Sequence, residues 1–291
     1  MNLTKGERLF SIFNYIFIGF LSFFAIYPFL YVLACSVSDT ISVASGNVYL
    51  FPKSFRLDAY KMVLQQKEIW VSYGNTVIYT VFGTMYSLFL TICGAYPLSK
   101  ERLRGKKIFS FLLLITMWFQ AGIIPTYLNL KSLNLLNQRL GVIIGFGCTA
   151  FYVIIMKTYF ESLPISMEES AKIDGANDLS ILWNIILPLA KPSIATITLY
   201  YAVNRWNSFF WAMILLRDNS KIPLQVMLRK LIIETQAGGV SESAVNITNL
   251  GYSAETVIYA TIVVAAVPII ALYPFIQKYF VKGIMVGAIK G

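Results

Sequence analysis

The sequence predicts an all-α integral membrane protein with six transmembrane helices. Three observations predict it. Of the 291 residues, 57% are hydrophobic and only 13% charged. The mean hydropathy is +0.66. Six apolar stretches, roughly 9–37, 73–98, 108–129, 140–160, 193–216 and 256–280, alternate with polar connections. A soluble globular domain carries about 25% charged residues, so this chain lacks the polar surface to cover a water-facing sphere. A helix needs about 20 residues to cross a ~30 Å hydrocarbon core, and each stretch reaches that length. Spanning strands would alternate in polarity and run about 9–11 residues. The whole chain, 1–291, therefore reads as a single transmembrane domain.

The first stretch is too long for a signal peptide. It runs through Tyr27-Pro28-Phe29-Leu30-Tyr31 with no small-x-small cleavage pattern, so it is expected to be a retained helix. Between the second and third stretches lies Lys-Glu-Arg-Leu-Arg-Gly-Lys-Lys at 100–107, five basic residues in eight. Such density in a short loop favours the cytoplasmic side, and Lys5 and Arg8 agree. Six spans then leave both termini and the loops at 99–107 and 161–192 inside, and those at 38–72, 130–139 and 217–255 outside. Pro28, Pro97, Pro125 and Pro268, with Gly141, Gly145 and Gly147, interrupt the spans. Membranes tolerate such breaks where protein or a cavity satisfies the freed backbone.

Composition also excludes. The formal net charge is +10, and the basic residues sit mostly between apolar stretches, which fits topology and anionic headgroups rather than nucleic acid. There is no histidine. That removes imidazole base catalysis, Ser-His and Cys-His nucleophiles and His-ligated metals. Cys35, Cys93 and Cys148 lie in or beside apolar spans without clustering, and are expected to be packing residues. No metal or cofactor is expected. No GxxxxGK[ST] stretch exists for an ATP site.

The informative connection is 161–192. Pro164 ends what precedes. Ser166-x-x-Glu169 has the form of a capping box that starts a helix. Asp174-Gly175 follows within two turns, and Gly175 suits a sharp reversal. A second helix is expected from an N-cap at Asp178, with Leu179, Leu182, Trp183 and Ile186 forming one apolar stripe that packs on the membrane helices. Pro188 and Pro192 should close it. The small residues Ser170, Ala171 and Ala176 would allow close approach by a partner.

This stretch resembles the ATPase-docking loop of ABC importer permeases. Glu169-Ser170-Ala171, Gly175, Ile185 and Leu187-Pro188 match the Glu-Ala-Ala, Gly, apolar-x-Leu-Pro order of that loop. Asp174-Gly175-Ala176 and Pro192 match its carbohydrate-uptake form. Ser170 departs from the usual alanine, and Leu182 sits where an aromatic is common, with Trp183 beside it. Arg205-Trp206-Asn207-Ser208-Phe209 is similar to the Trp-Asn segment of sugar permeases. The ending from Phe280 to Gly291 resembles their tails, and Phe51-Pro52 with Asp58-Ala59-Tyr60 resembles their first outer loop.

The likeness spans nearly the whole chain. It is to maltose-transporter-type permeases, closest to the branch for oligosaccharides and polysaccharide fragments. It implies the type I importer permease fold with cytoplasmic coupling helices, in a bacterial cell membrane. The implied ATPase-docking residues are Glu168, Glu169, Ser170, Ala171, Asp174, Gly175 and Ala176. Implied partners are a second homologous permease in a heterodimer, two cytoplasmic ABC ATPase subunits, an extracytoplasmic substrate-binding lipoprotein and a carbohydrate. The chain itself would be no enzyme.

Polar and aromatic groups inside spans are the candidates for the substrate pathway, since intramembrane polarity is costly and tends to be functional. They are Trp118 and Gln120 in the third stretch, and Tyr200, Tyr201, Asn204, Arg205, Trp206, Asn207 and Trp211 in the fifth. Aromatic faces cover apolar sugar faces, and amides bond hydroxyls. The alternatives are an ABC permease for a non-sugar solute and an ion-coupled secondary transporter. The latter needs coupling acids, and no Asp or Glu lies deep in the six stretches.

Overall fold

The structure is a computed structural model that describes residues 4–236 and 255–271. All regular secondary structure among the described residues is helical. The end of the sixth apolar stretch, 272–280, and the C-terminal tail lie outside the described residues. The chain divides into two compact units, residues 1–70 with 228–267, and residues 71–227 with 268–291.

In the first unit, α1 (Lys5–Ser36) starts where Thr4 caps it. The Thr4 side chain accepts from Glu7 N at 3.3 Å, and Glu7 Oε2 accepts from Thr4 N at 2.7 Å. Pro28 lies within this helix without ending it. Phe10, Phe13, Phe20 and Phe29 are all exposed, and none of its most apolar window is buried. A helix apolar on every side suits lipid or a protein partner. Beyond α1 come two short helices, α2 (Thr40–Ala44) and α3 (Asp58–Gln65). Hydrogen bonds tie this connection down: Asp39 N donates to Lys53 O at 3.1 Å and Arg56 N to Val37 O at 2.9 Å. Cys35 is fully buried in a small core with Val43 and Val48, on which Tyr259 of the helix Glu255–Ala271 packs.

The second unit holds most of α4 (Lys67–Ser99), the second expected span as one continuous helix. The next three expected spans are not continuous. The stretch 108–129 is α5 (Lys106–Trp118) and α6 (Ile123–Ser132), bent by 115° at the break between them. The stretch 140–160 is α7 (Arg139–Ile144) and α8 (Ala150–Glu161), parted at Gly145–Thr149. The loop helices α9 (Ile165–Ile173) and α10 (Asp178–Leu189) follow. The stretch 193–216 is α11 (Lys191–Asn207) and α12 (Phe210–Leu215), interrupted at Ser208 and Phe209. Apolar composition sets length and environment. Helix continuity also needs every carbonyl paired along the helix, and beside the break at Gly145–Thr149 the Arg205 side chain takes over that pairing for two carbonyls. Within α7 only glycine fits at 141, since a Cβ there would lie 2.3 Å from the Leu135 carbonyl oxygen.

Without a hydrophobic drive between helices in lipid, packing and interhelical hydrogen bonds hold such a unit together. Both are present. Met156, Ile181, Ile186 and Ile197 are almost fully buried in one core, shared by α4, α8, α10 and α11. Buried Tyr201 on α11 shares a 2.7 Å hydrogen bond with Thr91 on α4 and accepts from Thr149 N at 3.1 Å. At the other end, Asn75 Nδ2 donates to Ser220 O at 2.8 Å, and Tyr79 OH donates to Lys221 O at 2.7 Å. Asn137, at φ 53, receives Arg217 N and Asp218 N on its side-chain oxygen, both at 3.1 Å. The connections 130–139 and 217–223 thus meet at one end. Those at 99–107 and 161–192 meet each other elsewhere. Of the cysteines, Cys93 and Cys148 are exposed, so the packing role holds for Cys35 alone.

Candidate functional site

The 161–192 loop begins differently from its sequence reading. Pro164, not Ser166, occupies the N-cap of α9, with no side-chain capping bond, so there is no Ser166–Glu169 capping box. Pro164 presets the chain direction at the helix start, which places Ser166 inside the first turn. The end of α9 follows the sequence. Gly175 adopts φ 81. Its N–H donates to Lys172 O at 3.0 Å, and Ala176 N donates to Ala171 O at 2.9 Å. This pair of bonds is the Schellman closure, which needs a left-handed residue.

Asn177, one residue before the expected Asp178, caps α10, its side chain accepting from Ser180 N at 2.8 Å. The expected stripe is split. Leu182 and Ile186 are buried together with Ile181, whereas Leu179 and Trp183 are 67% and 63% exposed. The reason is the π-helical segment Leu182–Ile186. Its i→i+5 bonding places more residues in each turn, so Ile186 swings back over Ile181 and Leu182 while Trp183 turns away. Pro188 does not close the helix, which runs on to Leu189, and Pro192 sits in the first turn of α11, bent 81° from α10.

Ion pairs brace the loop against 99–107. Lys100 pairs with Glu168, each side chain only 13% exposed, and Arg102 pairs with Asp178. Lys106 lies 2.8 Å from Glu161, which Lys157 also approaches at 3.5 Å. Lys100 Nζ stands 4.6 Å over the Tyr96 ring, a cation–π placement. Burial first, then the Lys172 and Arg102 cations, lowers the Lys100 ammonium to about 8. The Asp178 carboxylate acts in the opposite sense, as an opposite charge does, and with a value of about 8 Lys100 stays protonated at neutral pH. Replacing Glu168 with Gln is expected to cost about 2 kcal/mol, between a surface pair and a fully buried one. The K100M/E168Q pair should lose less than the sum of the single losses. Denaturant unfolding of the purified protein in detergent checks both.

The seven expected docking residues therefore divide. Glu169, Ser170, Asp174 and Gly175 are exposed. Glu168 is engaged by Lys100, and Ala171 and Ala176 are half-buried against the unit's own core. Sequence reasoning missed the apolar part of the exposed surface. Ile165, Ile173, Leu179 and Trp183 are 67%, 87%, 67% and 63% exposed. Ile165, Glu169 and Ile173 recur every fourth residue along one face of α9, a signal readable from spacing alone.

The candidate pathway residues also divide. Arg205 is fully engaged: Nη1 donates to Val142 O at 2.7 Å, and Nη2 donates to Phe146 O at 2.5 Å and Ser87 Oγ at 3.0 Å. Tyr201 is buried as described. Trp206 is buried edge-on to Tyr73 at 5.8 Å, and Trp211 packs on Phe146 at 4.9 Å. Trp118, the last residue of α5, and Gln120, in the break before α6, are exposed. The remaining three share an open groove of about 460 Å³. Tyr200, Asn204 and Asn207 line it along one face of α11, with Tyr152 stacked on Tyr200 at 5.8 Å and 12° between planes. With Phe209 and Phe210 also in its lining, the groove offers four aromatic rings and two amides.

Residues 107–286 match the family described as binding-protein-dependent transport system inner membrane component. The chain is 40% identical over 291 residues to Protein LplC of Bacillus subtilis (strain 168), covering 100% of this chain and 98% of that one. It is 41% identical over 287 residues to the polygalacturonan/rhamnogalacturonan transport system permease protein YtcP of the same organism, covering 98% and 99%. A chain in the crystal structure of a bacterial ABC transporter involved in the import of the acidic polysaccharide alginate shares the fold with a TM-score of 0.90. Its identity is 47%, over 96% of this chain and 99% of that one. The chain thus belongs to the binding-protein-dependent transport system inner membrane components, the permease subunits of ABC importers.

Proposed function

We propose that this permease carries an oligosaccharide across a bacterial cell membrane, powered through α9 and α10 by two separate ABC ATPase subunits. One observation carries the power-coupling half: a turn closed by Gly175 presents Ile165, Glu169, Ile173 and Asp174 outward, while ion pairs and a buried core fix its inner side. Apolar residues on such a tip suit a partner's cleft better than water. The chain makes six crossings, with both termini and the loops at 99–107 and 161–192 on the cytoplasmic side. Supporting this, those two loops are joined by ion pairs, whereas 130–139 and 217–223 join each other. The chain hydrolyses no ATP itself. A second, different permease completes the pathway, and an extracytoplasmic binding protein delivers the cargo.

For the cargo, the supporting observations are the names borne by relatives, polygalacturonan/rhamnogalacturonan, alginate and maltodextrin among them, and the Tyr152–Tyr200 groove with its amides. Reconstituted with its partners, the importer should take up an oligosaccharide from a panel of galacturonan, alginate and maltodextrin fragments. Uptake of amino acids or phosphate with no oligosaccharide transported would reject the sugar reading. Within the groove, Tyr200→Ala combined with Asn204→Ala should lower transport at least tenfold, since a lost stacking face and a lost amide each remove about 1 kcal/mol or more. ATP hydrolysis without substrate should be unchanged. Transport at the unmutated rate would place the cargo elsewhere.

A further inference from the structure

The first unit carries a cavity of about 190 Å³ whose walls include Asp39, Ile41, Arg56, Asp58, Ala59 and Thr256. Two polar atoms in these walls lack partners. Thr256 is only 4% exposed, and its hydroxyl meets no hydrogen-bond partner. Asp39 uses Oδ2 to accept from Ser42 N at 3.1 Å, and the side chain and backbone N–H of Ser42 hold its carboxyl below the usual carboxylate range, while Oδ1 is shut off from solvent with no close hydrogen-bond partner. The neighbouring Ser38 hydroxyl is satisfied, donating to Ala34 O at 2.6 Å and accepting from Lys53 N at 3.1 Å. An orphaned buried polar group is costly, and more so when charged. The deficit is of donors: a carboxylate only accepts, and a hydroxyl can accept as well.

The charge balance narrows the ligand. Asp39 and Asp58 carry two negative charges, and Arg56, 3.9 Å from Asp58 Oδ2, offsets one. No group of three or more His, Cys, Asp or Glu residues suited to a metal exists among the described residues, and hard divalent cations want six or more oxygens. The volume also exceeds that of a bare ion. One ammonium or guanidinium on an aliphatic stem fits all of this. Its N–H groups reach the orphaned oxygens, it balances the remaining charge, and Ile41 and Ala59 cover the stem.

The place narrows the source. The cavity lies between the end of α1 and the start of Glu255–Ala271, and both ends are extracytoplasmic in the orientation proposed above, on which this inference rests. The bonds from Asp39 N to Lys53 O and from Arg56 N to Val37 O hold its walls in place, so little ordering remains for binding. We propose that the cavity receives one lysine or arginine side chain of the extracytoplasmic binding protein, with the cationic head on Asp39 and Thr256.

The test uses the assembled importer in nanodiscs and its cognate binding protein, with association and dissociation rates measured separately. Asp39→Asn keeps the cap on α2, because Asn caps as well as Asp. Thr256→Val keeps the shape and removes the hydroxyl. Dissociation should quicken about tenfold or more in D39N and a few-fold in T256V, as for a desolvated charge pair. A single Lys→Gln or Arg→Gln change on the binding protein should reproduce the loss and add nothing in D39N. Unchanged dissociation in both importer variants overturns the proposal and leaves the importer reading standing. Binding of butylammonium or calcium alone to the unliganded importer, lost in D39N, overturns it by assigning the site to a free cation. If the unmutated importer binds no binding protein at all, the reading beneath the proposal fails and takes the proposal with it.

Discussion

Gly175→Pro is expected to abolish coupled transport while leaving the importer assembled in the membrane. Gly175 sits at φ 81, and proline is fixed near −65°. The substitution also removes the N–H that donates to Lys172 O. The Schellman closure then cannot form, and the outer turn must rebuild at a cost of about 3 kcal/mol or more. Nothing within 4 Å of a Cβ at this position obstructs a side chain, so the whole effect is conformational. Gly175→Ala isolates it: the left-handed penalty of about 1–2 kcal/mol should reduce transport partially. The readouts are oligosaccharide uptake and substrate-stimulated ATP hydrolysis in proteoliposomes, with co-purification of the ATPase. Full stimulation in the proline variant would remove the docking role from this turn.

Arg205→Met is expected to destabilise the protein rather than to change its selectivity. The guanidinium bridges three elements, bonding Ser87 on α4 and the carbonyls of Val142 and Phe146 beside the break after α7. A helix that stops inside a membrane leaves carbonyls without partners. Arg205 supplies the donors for two of them. Leaving both orphaned costs about 2–6 kcal/mol in total, taking 1–3 for each group. Lysine should restore little, since one ammonium cannot reproduce the planar fork. Space is already tight: a Cβ on Gly83 would lie 3.1 Å from Arg205 Nε. The check is the unfolding midpoint and folded yield in detergent. A variant with an unmoved midpoint and altered cargo affinity would return Arg205 to the substrate pathway.

The two continuous apolar helices, α1 and α4, were legible because lipid imposes length on composition directly. The breaks were not. Glycine marks the chain at 122, 145 and 147, but what makes the break at Gly145 tolerable is an arginine about 60 residues away, and spacing cannot reveal that pairing. The Gly175 reversal was legible because one residue type supplies it locally. The face of α10 was misassigned because the expectation used α-helical periodicity, and five residues wind as a π-helix. Glu168 illustrates the same limit. Its sequence neighbours point toward a partner protein, yet Lys100, 68 residues earlier, holds it. Arg205 stood out as an intramembrane cation. Its role followed only from seeing which carbonyls it reaches.

The basic connection at 100–107 was first useful as a sign of sidedness. Its ion pairs to Glu168, Asp178 and Glu161 give it a mechanical meaning. Lys100 and Arg102 follow the last turn of α4, and Lys106 opens α5. On the proposed docking role, a displacement of the turn at Gly175 would reach the second unit at two anchor points, through α10 into α11 and through the braced connection into α4 and α5. The load would be shared, and the second unit would be driven from two sides of its core instead of levered from one.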